Sequence, residues 1–191
     1  MVVRGRGVQG VSDVRERIVA LYGEKTLRKS AMNIRGGAGV FERVLAGKGH
    51  KVALEIGTYK GCAAAEIAQY VDHVITIDLK RGKIELNHEH WDRREFWRSL
   101  GVDHKIHFHA VADDREKAAV VRSLQFDFAF IDGAHDAGVR TDFALVKRCG
   151  KVLFHDYDSR GAKEQDYVVD FVNTLPKEQI EKMDIFALWT R

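Results

Sequence analysis

A chain of 191 residues, 45% apolar and 31% charged, has the size of one domain with a sizeable core and the make-up of a soluble globular protein rather than of a disordered or membrane-spanning one. No apolar run approaches the roughly 20 residues that cross a bilayer, and no apolar stretch follows Arg4 and Arg6 as a secretory signal requires, so the expected location is cytoplasmic. The formal net charge is +3, with 11 Lys or Arg against 4 Asp or Glu in the first 51 residues, but basic and aromatic residues are not interleaved as in RNA-binding modules, so nucleic acid is an unlikely partner.

Val11 to Tyr22 reads as an amphipathic helix with Val14, Ile18, Val19 and Leu21 on one side. Gly36, Gly37 and Gly39 break the pattern. A second helix, Val40 to Ala46, ends at Gly47 and Gly49, residues suited to a left-handed exit. From Lys51 onward, short apolar runs alternate with helical stretches. The runs are Val52 to Ile56, Val74 to Ile77, Ile106 to Val111, Phe126 to Ile131 and Val152 to Phe154. Between them lie Cys62 to Tyr70, Lys83 to Leu100, Asp114 to Leu124 and Val139 to Arg148. Strand–helix alternation of this kind predicts an α/β fold, an open and mostly parallel sheet covered on both faces. A last helix, Ala162 to Leu175, stops at Pro176, and Asp184 to Thr190 closes the chain as an edge strand. Residues 1–47 form a helical extension and 48–191 the core of a single domain. Cys62 and Cys149 are far apart, show no zinc-type spacing, and read as reduced thiols.

In an open α/β sheet, ligands sit outside the carboxyl ends of the strands, where strand order reverses. The loop after the first strand reads Glu55, Ile56, Gly57, Thr58, Tyr59, Lys60, Gly61. Gly57 lets the chain turn sharply and lets a ligand approach the backbone. Gly61 opens a helix whose N-terminal amides favour a carboxylate. Asp78 ends the second strand 23 residues after Glu55, the distance at which an acid accepts hydrogen bonds from ribose hydroxyls. A dinucleotide's pyrophosphate requires the fuller GxGxxG. Here the middle glycine is missing and Glu55 precedes the loop, which suits a nucleoside with a cationic amino-acid end and repels a pyrophosphate.

The segments EIGTYKG, ITIDLK, FDFAFIDGAH and GKVLFHDYD, in that order, resemble the successive motifs of class I methyltransferases, which have a Rossmann-like, doubly wound sheet. More narrowly, the chain resembles the small O-methyltransferases that include the catechol and caffeoyl-CoA enzymes and bacterial sugar-modifying relatives of the macrocin type. The resemblance spans about residues 38–160. It implies S-adenosylmethionine as cofactor, held by Glu55, Gly57, Thr58, Tyr59, Gly61, Asp78 and Leu79. It also implies contacts from the third-strand exit, Val111 and Ala112, and from Asp132. The adenine-side acid or amide usual at that exit is replaced by small apolar residues, with Asp113 close by, and Ala63 replaces a serine that often binds the methionine carboxylate.

Asp132 and Asp156 come after the fourth and fifth strands and emerge at the same sheet edge as the glycine loop. Two acids beside one cleft repel each other or share a cation. In the resembling families the counterparts of these two residues hold a divalent metal, usually Mg2+, which lowers the pKa of the acceptor hydroxyl and orients it. His155 stands where the sugar-modifying relatives have an acid and is a third metal ligand on this reading. A His, Asp, Asp set takes magnesium weakly and another divalent metal more readily. Tyr157 replaces the Asn of the catechol type. His135 stands three residues beyond Asp132, where catechol-type enzymes place a proton-accepting lysine, and a histidine suits that duty near neutral pH. Asp132 and His135 are thus the catalytic candidates.

His88 and His90 read as positions on a solvated helix and His107 and His109 as sharing one strand face, none of them as metal ligands. Trp91, Phe96 and Trp97 read as helix packing ahead of an aromatic-substrate cleft. The acceptor expected is a small molecule, and a homodimer is open. Three other readings stay open: metal-independent transfer to nitrogen, a cofactor-binding protein of the same fold without turnover, and a nicotinamide reductase.

Overall fold

The computed structural model describes residues 14–27, 39–80, 91–133, 137–157 and 167–191. Five parallel strands form its centre: β1 (Val52–Ile56), β2 (His73–Leu79), β3 (Ile106–Val111), β4 (Phe128–Ile131) and β5 (Lys151–Phe154). Two antiparallel strands, β6 (Ile180–Met183) and β7 (Phe186–Thr190), complete a sheet of order β3-β2-β1-β4-β5-β7-β6.

The apolar runs form strands buried on both faces because alternate side chains serve two cores. In β1, Ala53 joins one core, while Leu54 and Ile56 join the other. The first core holds α1 (Val14–Tyr22), α2 (Val40–Leu45), α3 (Cys62–Ile67) and α4 (Arg93–Ser99) through Ile18, Phe41, Leu45, Ile67 and Phe96. The second holds α5 (Asp114–Ser123), α6 (Gly138–Val146) and α7 (Tyr167–Val172) through Val121, Phe143, Val146 and Phe171. Phe41 meets Phe130 edge-on at 5.0 Å, a geometry that adds about 0.5–1.5 kcal/mol beyond burial alone. The crossovers through α3 and α4 run outward from β1 to β3. The next crossover, through α5, returns to the other side of β1. Strand order therefore reverses between β1 and β4, and the loops after those strands open a crevice there.

Several expected boundaries move. On α1, the buried stripe is Val14, Arg15 and Ile18, whereas Val19 and Leu21 are exposed. Spacing by four from Val14 selects Ile18 and Tyr22 and leaves Val19 and Leu21 off the stripe. Three helices end earlier than their apolar pattern suggests. α3 ends at Ile67 with a turn to Tyr70, and α6 ends at Val146 and tightens into a 3-10 turn over Lys147–Cys149. α7 ends at Val172, ahead of Pro176. The final strand is not an edge: β7 lies between β5 and β6, and β6 takes the edge. The parts of the expected segments that fall in 11–13, 81–90 and 158–166 lie outside the described residues.

Candidate active site

The turn after β1 is set by how closely β4 approaches it. Gly57 N donates to Ile77 O at 2.9 Å, and Asp132 N donates to Ile56 O at 2.8 Å. A Cβ on Gly57 would lie 2.1 Å from the Asp132 carbonyl oxygen, and φ there is +96°. Glycine is therefore required by backbone meeting backbone, so the space beside its Cα belongs to the Asp132 peptide and not to a ligand. Tyr59 is next in the turn, with φ 45°. Gly61, at φ +81°, begins α3, and a Cβ on it would lie 2.6 Å from the Trp97 indole nitrogen.

Two acids flank this turn. Glu55 is fully buried and accepts a hydrogen bond from the Thr76 hydroxyl. The Thr58 and Thr76 hydroxyls are 2.6 Å apart and share a hydrogen bond. Burial holds the Glu55 carboxyl well above the ordinary carboxylate range, the Thr76 bond opposes it, the charges of Asp132 and Asp78 add to it, and that of Arg93 opposes it. Ionisable groups from β1, β2, α4 and the β4 tip thus interact here. Asp78, at the end of β2, accepts from Tyr59 N at 3.0 Å and from Leu79 N at 2.9 Å. Arg93 lies 3.5 Å from it and donates through Nε to Tyr59 O at 2.6 Å.

The second half of the site lies at the tips of β4 and β5. His155 Nδ1 is 2.8 Å from Asp132 Oδ1 and 3.1 Å from Asp156 Oδ2. One ligand atom from each of the three residues lies within 4.8 Å of the others. Burial alone would lower the His155 pKa, but the Asp132 and Asp156 carboxylates outweigh it and hold it at about 10. In the protein alone, an imidazolium therefore offsets part of the charge of the two acids. Asp156 has φ 57°, uncommon for a residue with a side chain and tolerated best by Asp and Asn. Two carboxylate oxygens with one imidazole nitrogen form a mixed donor set suited to a divalent ion.

A methyltransferase domain model matches residues 54–157, the stretch that contains both halves of this site. The chain belongs to the methyltransferase domain family. With its doubly wound sheet, this makes it a class I, S-adenosylmethionine-dependent methyltransferase. Similar solved structures share the fold. A putative O-methyltransferase from Klebsiella pneumoniae has a TM-score of 0.65 at 16% identity, covering 100% of this chain and 92% of that one. An O-methyltransferase from Bacillus cereus, in complex with SAH, has a TM-score of 0.64 at 13% identity, covering 94% and 91%. A putative caffeoyl-CoA O-methyltransferase from Staphylococcus aureus has a TM-score of 0.62 at 15% identity, covering 93% and 98%. No functionally curated protein matches the sequence.

The residues singled out in the sequence fall into three groups. Glu55, Gly57, Thr58, Tyr59, Gly61 and Asp78 come together around the β1–β2 tips, with Leu79 exposed beside them. Asp132, His155 and Asp156 come together next to them. Val111 and Ala112 are the third group, and their backbones already have protein partners. Val111 O accepts from Lys80 N at 2.7 Å, and Ala112 N donates to Glu116 Oε2 at 2.6 Å. Asp113 caps α5 by accepting from Glu116 N at 2.8 Å. Tyr157, in place of the catechol-type Asn, turns into the core, where its hydroxyl donates to Asn173 Oδ1 at 2.9 Å. His135, His88 and His90 lie outside the described residues. Among the described residues, Asp132, His155 and Asp156 are the one group of three metal-ligating side chains.

Thr76 and Arg93 are site residues that sequence reasoning missed. Thr76 left a signal: it is the one polar side chain inside the apolar run from Val74 to Ile77, and a buried hydroxyl needs a partner. Arg93 left none, because its contacts are to residues 34 and 15 positions away.

Proposed function

We propose that this methyltransferase transfers methyl to a hydroxyl group of a small molecule, with a divalent metal held by Asp132, His155 and Asp156. The observation that carries the reading is that cluster, whose ligand atoms lie within 4.8 Å at the strand tips beside the glycine turn. When bound, the sulfonium cofactor supplies an electrophilic methyl group and the metal supplies Lewis-acid polarisation of the acceptor oxygen. Asp78 is the acceptor for the ribose hydroxyls on this reading, since a carboxylate with about four lone-pair sites stands at the tip of β2 beside the glycine turn. Glu55 faces the cationic amino-acid end. Its Oε1 is buried with no hydrogen-bond partner among the described residues, and a cation there favours the ionised form. Asp132 stands between the two halves of the site. His135, three residues on, takes the acceptor proton on this reading.

His155 supports a second reading. Its imidazolium already bridges the two carboxylates and offsets part of their charge, so the site can stand without a metal, and metal loading must displace that proton. The experiment that decides is transfer of labelled methyl from S-adenosylmethionine to a panel of catechols, hydroxycinnamates and sugars, with Mg2+, Mn2+ or EDTA. The expected result is methylated product with metal and a loss of about a hundredfold or more with EDTA or in Asp156→Ala. Full turnover in EDTA selects the second reading, and no product with any hydroxyl acceptor overturns the first.

A further inference from the structure

Three successive carbonyls of the glycine turn are held by side chains of one short segment. Arg93 Nε donates to Tyr59 O at 2.6 Å, Trp91 Nε1 to Lys60 O at 3.1 Å, and Trp97 Nε1 to Gly61 O at 2.9 Å. Arg93 also stands 3.5 Å from Asp78 Oδ2, the atom that accepts the Tyr59 N–H at 3.0 Å. Its guanidinium lies over the Phe108 ring at 4.8 Å, and Lys60 Nζ lies over the Trp91 ring at 5.1 Å. The donors are themselves fixed. Asp92 caps α4 by accepting from Arg94 N and Glu95 N, and Arg93 and Trp97 are buried.

We propose that the segment from Trp91 to Trp97 is a positioning clamp for the cofactor, rather than mere helix packing, with Arg93 as its principal residue. The inference rests on the reading that the glycine turn and Asp78 seat the nucleoside. Tyr59 at φ 45° occupies a backbone conformation sparsely populated by residues with a side chain, which persists only where the surroundings over-determine it. Pinning three carbonyls toward α4 fixes the peptide planes, and so fixes where the turn's N–H groups point. Arg93 touches both a carbonyl of the turn and the ribose-side carboxylate, which locks their relative position before the cofactor arrives. Such preorganisation lowers the ordering cost of binding. Arginine is suited to the task because its planar fork serves two acceptors at once, which lysine cannot do.

The test is calorimetric titration of S-adenosylhomocysteine into the full chain and four variants. Arg93→Ala weakens binding about tenfold or more. Arg93→Lys, which keeps the charge beside Asp78 but serves one acceptor, falls between that variant and the native protein. Trp91→Phe, which keeps the ring and loses the N–H, weakens binding a few-fold. Arg98→Ala, at the exposed end of the same helix and paired across 3.9 Å with Asp103, leaves the affinity unchanged. Amide hydrogen exchange of residues 58–61 rises in Arg93→Ala without cofactor, an effect that loss of packing elsewhere on α4 does not produce. Native affinity in both Arg93→Ala and Trp91→Phe overturns the clamp alone. Should Arg93→Ala not fold, native affinity in Trp91→Phe overturns it. No binding by the native chain overturns the cofactor reading and the clamp with it.

Discussion

His155 shows how one side chain sets the character of this site. With a pKa of about 10 against an ordinary 6.5, it binds its proton more tightly in the folded than in the unfolded chain. The stability it contributes is therefore fully present below pH 6.5 and is lost as pH rises through about 10. In chelator, the native protein should lose unfolding free energy across that window more steeply than His155→Gln does. Parallel denaturant-midpoint curves for the two proteins contradict the assignment. At this scale the sequence was legible wherever a polar residue ends an apolar run, as at Asp78, Asp132 and Asp156, because the residue at a strand tip leaves the sheet for the crevice. Gly57 was legible as a glycine, but its reason was not. The Asp132 backbone that fills the space beside it is 75 residues away in the chain.

At the scale of elements, the five parallel strands were readable because burial on both faces demands unbroken apolar runs. β6 was not readable. Its sequence, Ile180 to Met183, places Glu181 and Lys182 on an exposed edge, where charge guards against pairing with other chains but erases the strand pattern. Contacts between helices were equally hidden. Arg148 donates to Leu145 O at 2.6 Å, Val121 O at 2.7 Å and Leu124 O at 2.9 Å, and its guanidinium lies over the Phe126 ring at 4.5 Å. It ties the end of α5 to the end of α6. Arg148→Ala should cost about 2 kcal/mol of stability, read by denaturant unfolding, while cofactor affinity stays native because the residue lies away from the β1, β2 and β4 tips. Unchanged stability contradicts this role.

For the molecule as a whole, the sheet order decides where chemistry is done. β1 lies between β2 and β4, so the turn after β1 meets Asp78 on one side and Asp132 on the other. The alternation of strands and helices gave the fold class, but it carried no register between β1 and β4, whose pairing spans more than 70 residues of chain. That pairing joins the nucleoside-facing half of the site to the Asp132, His155 and Asp156 cluster. No helix among the described residues is long and apolar enough to cross a membrane. The most direct test of the cofactor seat is a crystal structure of the full chain soaked with S-adenosylhomocysteine. The predicted result is density along the turn from Glu55 to Gly61, with both ribose hydroxyls on the Asp78 carboxylate. Density seated elsewhere on the sheet, or a ribose that does not touch Asp78, contradicts it.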